Sequence, residues 1–251
     1  MQVLVEDSII SYQDIGKKDG KVILFLHGWA DESSNFKALA SVFSDNYRCI
    51  IIDLPGFGGS EIPKEPLYLP DFSRKVAKFL VKIRTRPYAV IGHSNGGAIA
   101  INAISGNEIS PKKLVLLASS GIRSGQSFKK TALKLLAKPA KASLIMVPAG
   151  KRKGLKRKLY ARIGSDYMVA ENMKDTFKHI VSYDISADAA SLDLPVLLIY
   201  GEADKTTPPQ MGRRLKEIIK SSRLETIPGA GHFIHLDKKD EVAGLIKGFL
   251  K

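Results

Sequence analysis

Cysteine is almost absent from this chain of 251 residues: Cys49 stands alone, so no internal disulfide can form. It lies in the apolar run Cys49–Ile52, where a buried strand thiol is expected rather than a reactive one. No hydrophobic run approaches the ~18 residues that span a bilayer. The first residues, Met1 to Asp7, carry neither a basic segment nor a long apolar one, so no signal peptide is expected and the setting expected is cytoplasmic. No Cys/His or Asp/Glu group has metal-ligand spacing, and no Walker-type or dinucleotide glycine loop occurs. No metal and no cofactor are therefore expected. Acidic residues are missing between Glu108 and Asp166, an interval that holds 15 lysines and arginines. The net charge is +14, and residues 121–190 carry +10 of it. Such segregation suggests a separate surface element rather than a uniformly basic binder of nucleic acid. Little aromatic interleaving and no recognisable binding module make nucleic acid an unfavoured partner.

What the chain does contain is a rhythm of short apolar runs. Val3–Val5 and Ile9–Gln13 read as a hairpin. Val22–Leu26, Arg48–Asp53, Tyr88–Ile91, Leu114–Ala118, Val196–Tyr200 and the weaker Leu224–Ile227 read as strands. They are nearly continuous rather than alternating, as parallel strands covered on both faces must be. Helical patterns lie between them at Asn35–Phe43, Phe72–Ile83, Gly97–Ser105, Gln210–Ile219 and Glu241–Leu250. The alternation predicts an α/β fold with a mostly parallel, doubly wound sheet. It breaks once, so the expected organisation is a core of 1–119 and 194–251 with a helical lid inserted at 120–193. Such an insertion would cover the carboxyl edge of the sheet, where open α/β folds bind ligands.

The stretch Gly92-His93-Ser94-Asn95-Gly96 is a G-x-S-x-G motif with an apolar strand before it and an apolar helix behind. In that setting the serine sits on a tight strand-to-helix turn, its hydroxyl beside the free N–H groups of a helix N-terminus. Chance alone produces the bare pattern in roughly one chain in ten of this length, so its partners must carry the case. A serine needs a base, and the base needs an orienting acid. His232, in the loop Gly229-Ala-Gly-His-Phe233, follows the last strand. Asp204, in Gly201-Glu-Ala-Asp204, follows the one before; Glu202 is the alternative acid but stands nearer the strand end. All three expected positions share one edge of the sheet. Oxyanion donors are expected from the backbone N–H of Asn95 and from that of Trp29 in His27-Gly28-Trp29. Asp53, in Asp53-Leu-Pro-Gly-Phe-Gly-Gly-Ser60, is expected to tie down its loop. His27 is expected to brace the oxyanion loop, while His93, His179 and His235 are expected to pack or be solvated.

In order and spacing these blocks resemble the α/β-hydrolase-fold superfamily, over essentially the whole chain. The resemblance implies Ser94 as nucleophile, Asp204 as acid and His232 as base, with oxyanion N–H groups at Trp29 and Asn95 and a helical lid at about 120–190. The serine argues against the branches that use aspartate at that position. The function expected is a serine hydrolase cleaving a carboxylic ester or related acyl bond of a small molecule through an acyl-enzyme. Carbon–carbon, thioester or lactone hydrolysis and acyl transfer use similar constellations, and a ligand sensor or scaffold on the same fold is the reading from another class. The lysine-rich helical pattern Phe128–Lys138 and the cluster Lys151–Lys158 admit two readings. One is a lid that draws anionic substrates or associates weakly with an anionic membrane. The other is an amphipathic cover whose lysines stay in water.

Overall fold

The computed structural model describes residues 1–122 and 173–251. Eight strands form one sheet: β1 (Gln2–Val5), β2 (Ser8–Gly16), β3 (Lys21–Leu26), β4 (Tyr47–Ile52), β5 (Ala89–His93), β6 (Lys113–Leu117), β7 (Val196–Gly201) and β8 (Ser222–Ile227). Their spatial order is β1-β2-β4-β3-β5-β6-β7-β8. β1 pairs antiparallel with β2, and β2 with β4; every other pairing is parallel. The α/β, mostly parallel doubly wound sheet expected from the apolar runs is therefore present.

The continuous apolar runs are explained by two cores. Leu24, Leu26, Ile50, Ile52, Val90, Leu116 and Leu198 face one side, where α2 (Leu69–Lys82), α3 (Asn95–Ser105) and α6 (Pro209–Ile218) cover them. Ile23, Phe25, Ile51, Ile91, Val115 and Ile199 face the other, under α1 (Lys37–Ser41), α7 (Ile234–Asp237) and α8 (Lys239–Leu250). Because successive side chains alternate faces, a strand buried on both must be apolar throughout. Cys49 lies in the second core, and burial pushes its thiol up to about 12, so it stays an inert thiol.

Two helices differ most from the pattern read in the chain. α2 begins at Leu69, three residues before the expected Phe72, because Pro70 is tolerated in a first helical turn and Asp71 Oδ2 accepts the Tyr68 N–H at 2.7 Å. The expected helix Asn35–Phe43 is split into a 3-10 turn, Ser33–Phe36, and α1. Between β6 and β7 the described residues contain α4 (Lys174–Ser182) and α5 (Ser186–Ala190). α5 is tied to α3: Asn102 Nδ2 donates to Asp188 Oδ2 at 3.1 Å and Ser105 Oγ to Asp188 Oδ1 at 3.2 Å. Most of the expected lid, including both lysine-rich stretches, lies outside the described residues. Among the described residues no helix is long and apolar enough to cross a membrane.

The order of the strands fixes where a ligand can enter. The chain runs from β3 to β4 on one side, then crosses to β5 on the other, so β3 and β5 leave a topological switch point between their carboxyl ends. There Leu26 is paired with Gly92, and the loops after both strands open side by side.

Asp53, at the end of β4, is buried and ties its loop as expected. Its carboxylate accepts the N–H of Ser33 at 2.6 Å and of Gly59 at 3.0 Å, and Ser60 Oγ donates to its carbonyl at 2.6 Å. Burial pushes the carboxyl up, but these hydrogen bonds outweigh it and hold the group below its ordinary value. A folded-state value below the unfolded one stabilises the fold above the unfolded value and loses that contribution as pH falls through the folded value. Asp53→Asn is thus expected to cost about 1–3 kcal/mol at pH 7. Urea unfolding at pH 7 and again in acid, below the ordinary carboxylate value, should show the gap between variant and parent closing.

Candidate functional site

Ser94 occupies the turn between β5 and α3 with φ 50° and ψ −117°, a conformation that non-glycine residues rarely adopt. The turn is held by the Ser94 N–H donating to Leu117 O at 3.0 Å and by the Ser120 N–H donating to Ser94 O at 3.1 Å. The flanking glycines are obligatory for a measurable reason. A Cβ at Gly96 would lie 2.2 Å from Leu26 O, and one at Gly92 would lie 2.7 Å from Gly96 O. Both contacts are with backbone, which cannot swing aside. The turn therefore packs against β3 only with glycine on each side of the serine.

His232 and Asp204 meet at the same edge. His232 Nδ1 lies 2.8 Å from Asp204 Oδ2, with the Asp204 side chain fully buried and that of His232 15% exposed. Asp204 Oδ1 accepts the N–H of Thr206 at 2.7 Å and of Thr207 at 3.0 Å. Burial alone would raise the Asp204 carboxyl; the hydrogen bonds from His232 and from the Thr207 hydroxyl and N–H keep it below the ordinary value. An ionised Asp204 in turn makes Nδ1 the protonated nitrogen of a neutral His232, leaving the Nε2 lone pair free. Glu202, the alternative acid, is exposed and outside this network.

Thr207 escaped the reading of the chain. Its buried Oγ1 lies 2.8 Å from Asp204 Oδ2, 2.9 Å from Ala118 O and 3.1 Å from His232 Nδ1, so it locks the carboxylate between β6 and the His232 loop. The signal was available: an aspartate that accepts backbone N–H groups two and three residues on is a common local turn. Ser94 is brought to the same edge, yet among the described residues no side-chain hydrogen bond joins its Oγ to His232. In unliganded sites that bond is often long.

The two expected oxyanion donors have no backbone acceptor among the described residues. Asn95 opens α3, where the first N–H groups lack intrahelical partners. Trp29 belongs to a peptide unit that His27 fixes. The Leu54 N–H donates to His27 Nε2 at 2.9 Å, so the proton sits on Nδ1, which donates to Gly28 O at 2.7 Å. Gly28 C=O and Trp29 N–H are the two ends of one planar peptide, so anchoring the carbonyl aims the N–H. The Trp29 ring is wedged between Phe57 (4.9 Å) and Phe177 of α4 (5.1 Å).

Against the start of α3 lies a largely apolar cavity lined by Leu69, Asn95, Ala98, Ile122, Ile180 and Ile185. Among the described residues, neither polar atom of the buried Asn95 side-chain amide has a partner. His179, expected to be solvated, is instead half-buried and stacked on Tyr68 with ring centroids 3.9 Å apart.

A doubly wound sheet, a strained serine elbow at its switch point and an Asp–His pair facing the same edge define an α/β-hydrolase. A family model described as serine aminopeptidase, S33, matches residues 17–239. The chain belongs to that family, and it is a member of the α/β-hydrolase superfamily of enzymes. It is similar to an uncharacterized hydrolase, YugF, of Bacillus subtilis (strain 168), 24% identical over 255 residues, covering 96% of this chain and 92% of the relative. It is also similar to Lipase 1 of Psychrobacter immobilis, 25% identical over 262 residues, covering 95% and 79% of the two chains. Among solved structures, the enol-lactonase from Burkholderia xenovorans LB400 superposes with a TM-score of 0.82 at 19% identity, covering 100% of this chain and 99% of that one.

Proposed function

We propose that this hydrolase cleaves a carboxylic ester or closely related acyl bond through a covalent acyl-enzyme on Ser94. The observation that carries the reading is the His232–Asp204 hydrogen bond at the edge that presents Ser94. In the proposed cycle, Ser94 Oγ attacks the carbonyl carbon as its proton passes to His232 Nε2. The imidazolium is stabilised by ionised Asp204, and the oxyanion is received by the N–H groups of Trp29 and Asn95. Collapse breaks the acyl–oxygen bond, and the leaving alcohol takes the proton from Nε2. Water then attacks the acyl-enzyme with His232 as base, releasing the acid and restoring Ser94.

The apolar lining of the cavity at the start of α3 suits an acyl group. The names of the lipase and the enol-lactonase likewise fit an ester bond. The lid over 120–193 belongs to the same proposal, as the cover of the acyl pocket.

The test is a fluorophosphonate probe with the adduct located by mass spectrometry, followed by turnover of p-nitrophenyl esters of increasing chain length and of aminoacyl p-nitroanilides. An adduct on Ser94 with ester turnover is the expected result. Turnover of the anilides but none of the esters would overturn the ester reading, and a folded protein that takes no label would overturn the nucleophile.

A further inference from the structure

Directly behind the Ser94 elbow, three buried side chains point atoms without partners at one another. Asp31, His93 and His235 are 7%, 1% and 0% exposed, and one ligand atom from each lies within 4.8 Å of the others. Among the described residues, Asp31 Oδ2, His93 Nδ1 and both ring nitrogens of His235 have no hydrogen-bond partner. Stranding one buried polar atom is costly, and here several face a common point.

The surroundings prepare each group as a metal ligand. His93 Nε2 lies 3.0 Å from the His232 carbonyl and can only donate to it, which leaves Nδ1 with its lone pair inward. A ring N–H given to a backbone carbonyl is the usual outer support of a metal-bound histidine. Asp31 Oδ1 accepts the Glu32 N–H at 2.9 Å and is bonded by the Asn35 amide, so Oδ2 is the oxygen left over. His235 is stacked on Phe36 with centroids 4.6 Å apart.

We infer that Asp31 Oδ2, His93 Nδ1 and a ring nitrogen of His235 form a binding site for one divalent transition-metal ion of the zinc class. Two imidazole nitrogens and one carboxylate oxygen suit zinc, whereas calcium and magnesium want oxygen alone. Charge argues for a cation over a bridging water. Among the described residues no lysine or arginine pairs with Asp31. A water would supply hydrogen bonds to the buried carboxylate but would leave its charge uncompensated. Bonds of about 2.0–2.2 Å put ligand atoms about 3.4 Å apart, so side-chain rotation must contract the cluster by at most roughly 1.4 Å.

The placement suggests what the ion does. Asp31 is two residues past Trp29, His93 immediately precedes Ser94, and His235 is three past His232. One ion would pin together the three loops that carry the oxyanion N–H, the serine and the histidine. It would act as a brace on the loops rather than touch the substrate, and the site does not depend on the reaction assigned to Ser94. Sequence spacing could not show it, because the ligands come from three separate crossings of the sheet edge.

The test uses the full chain, stripped with a chelator. Zn²⁺ or Co²⁺ is supplied both to the native protein and during refolding from urea, since the site is buried. The expected result is one metal per chain by elemental analysis, and visible Co²⁺ bands of a site of three protein ligands completed by one water. Tm should rise by about 5–10 °C at a hundredfold excess of Zn²⁺ over Kd. Asp31→Asn and His235→Gln should each weaken binding by more than about tenfold, since even outer supports are worth that much. His232→Ala should retain the metal, which separates this site from the Asp204–His232 pair. If a variant fails to fold, ¹⁵N imidazole resonances of the wild-type chain identify the ligands, and shifts of His93 and His235 on adding Zn²⁺ are expected. No bound metal after refolding would overturn the inference. So would binding that is lost in His232→Ala, or ¹⁵N shifts confined to His232.

Discussion

Replacing Ser94 by alanine should lower kcat for p-nitrophenyl esters by about 10⁵–10⁶-fold while leaving the fold intact. The physical case is that the hydroxyl is removed without stranding a partner. Among the described residues Ser94 Oγ makes no side-chain hydrogen bond, whereas the backbone bonds of the turn, to Leu117 O and from the Ser120 N–H, are unaffected. Alanine keeps a Cβ, so the unusual φ of 50° stays as costly as it was and no strain is released. Chemistry, by contrast, loses the only atom that can hold the acyl group. Tm measured alongside turnover separates the two effects. A variant that keeps its turnover would sink the assignment of Ser94, and one that loses Tm as well as turnover would show that the serine is needed for the elbow.

The second large effect is expected at Asp204. In Asp204→Asn the amide oxygen is held by the N–H groups of Thr206 and Thr207, which Oδ1 now accepts at 2.7 and 3.0 Å. The amide nitrogen then faces His232 Nδ1, which must accept, and the ring proton moves to Nε2. A base whose only lone pair points away from Ser94 cannot take the serine proton. A loss of about 10⁴-fold in kcat is expected, with a modest cost of about 1–3 kcal/mol in stability. Glu202→Gln is the control: the side chain is exposed and outside the network, so kcat should not change. If the Glu202 variant were the inactive one, the choice between the two acids would be reversed.

These outcomes bear on how much of the molecule is visible in one dimension. The central strands, β3 to β7, were legible because they are buried on both faces, so Val22–Leu26 or Val196–Tyr200 must be apolar throughout, and turn residues bracket them. The elbow was legible because a serine at positive φ packed against β3 admits only Gly92 and Gly96 beside it. Asp204 and His232 were legible as polar residues in loops just past strands, on one edge of a parallel sheet. Helix ends were less so: α2 starts early because of Pro70 and Asp71, local features that an apolar pattern does not register.

Other features could be read only in three dimensions. Thr207 looked like any loop threonine until β6 brought Ala118 O to it. His27 showed its tautomer only once Leu54 N–H was seen at Nε2. Asp31, His93 and His235 look unrelated along the chain, since each is explained locally by a turn, an elbow or a short helix. The chain by itself determined its strands, its serine elbow and the edge that carries the polar loops, because these follow from local backbone geometry and from burial of apolar surface. Which polar atoms meet, which tautomers they adopt and which buried groups are left facing one another was decided only by tertiary structure. Hydrogen bonding and ligation act over about 2–3 Å, a precision that only the packing of distant strands can supply.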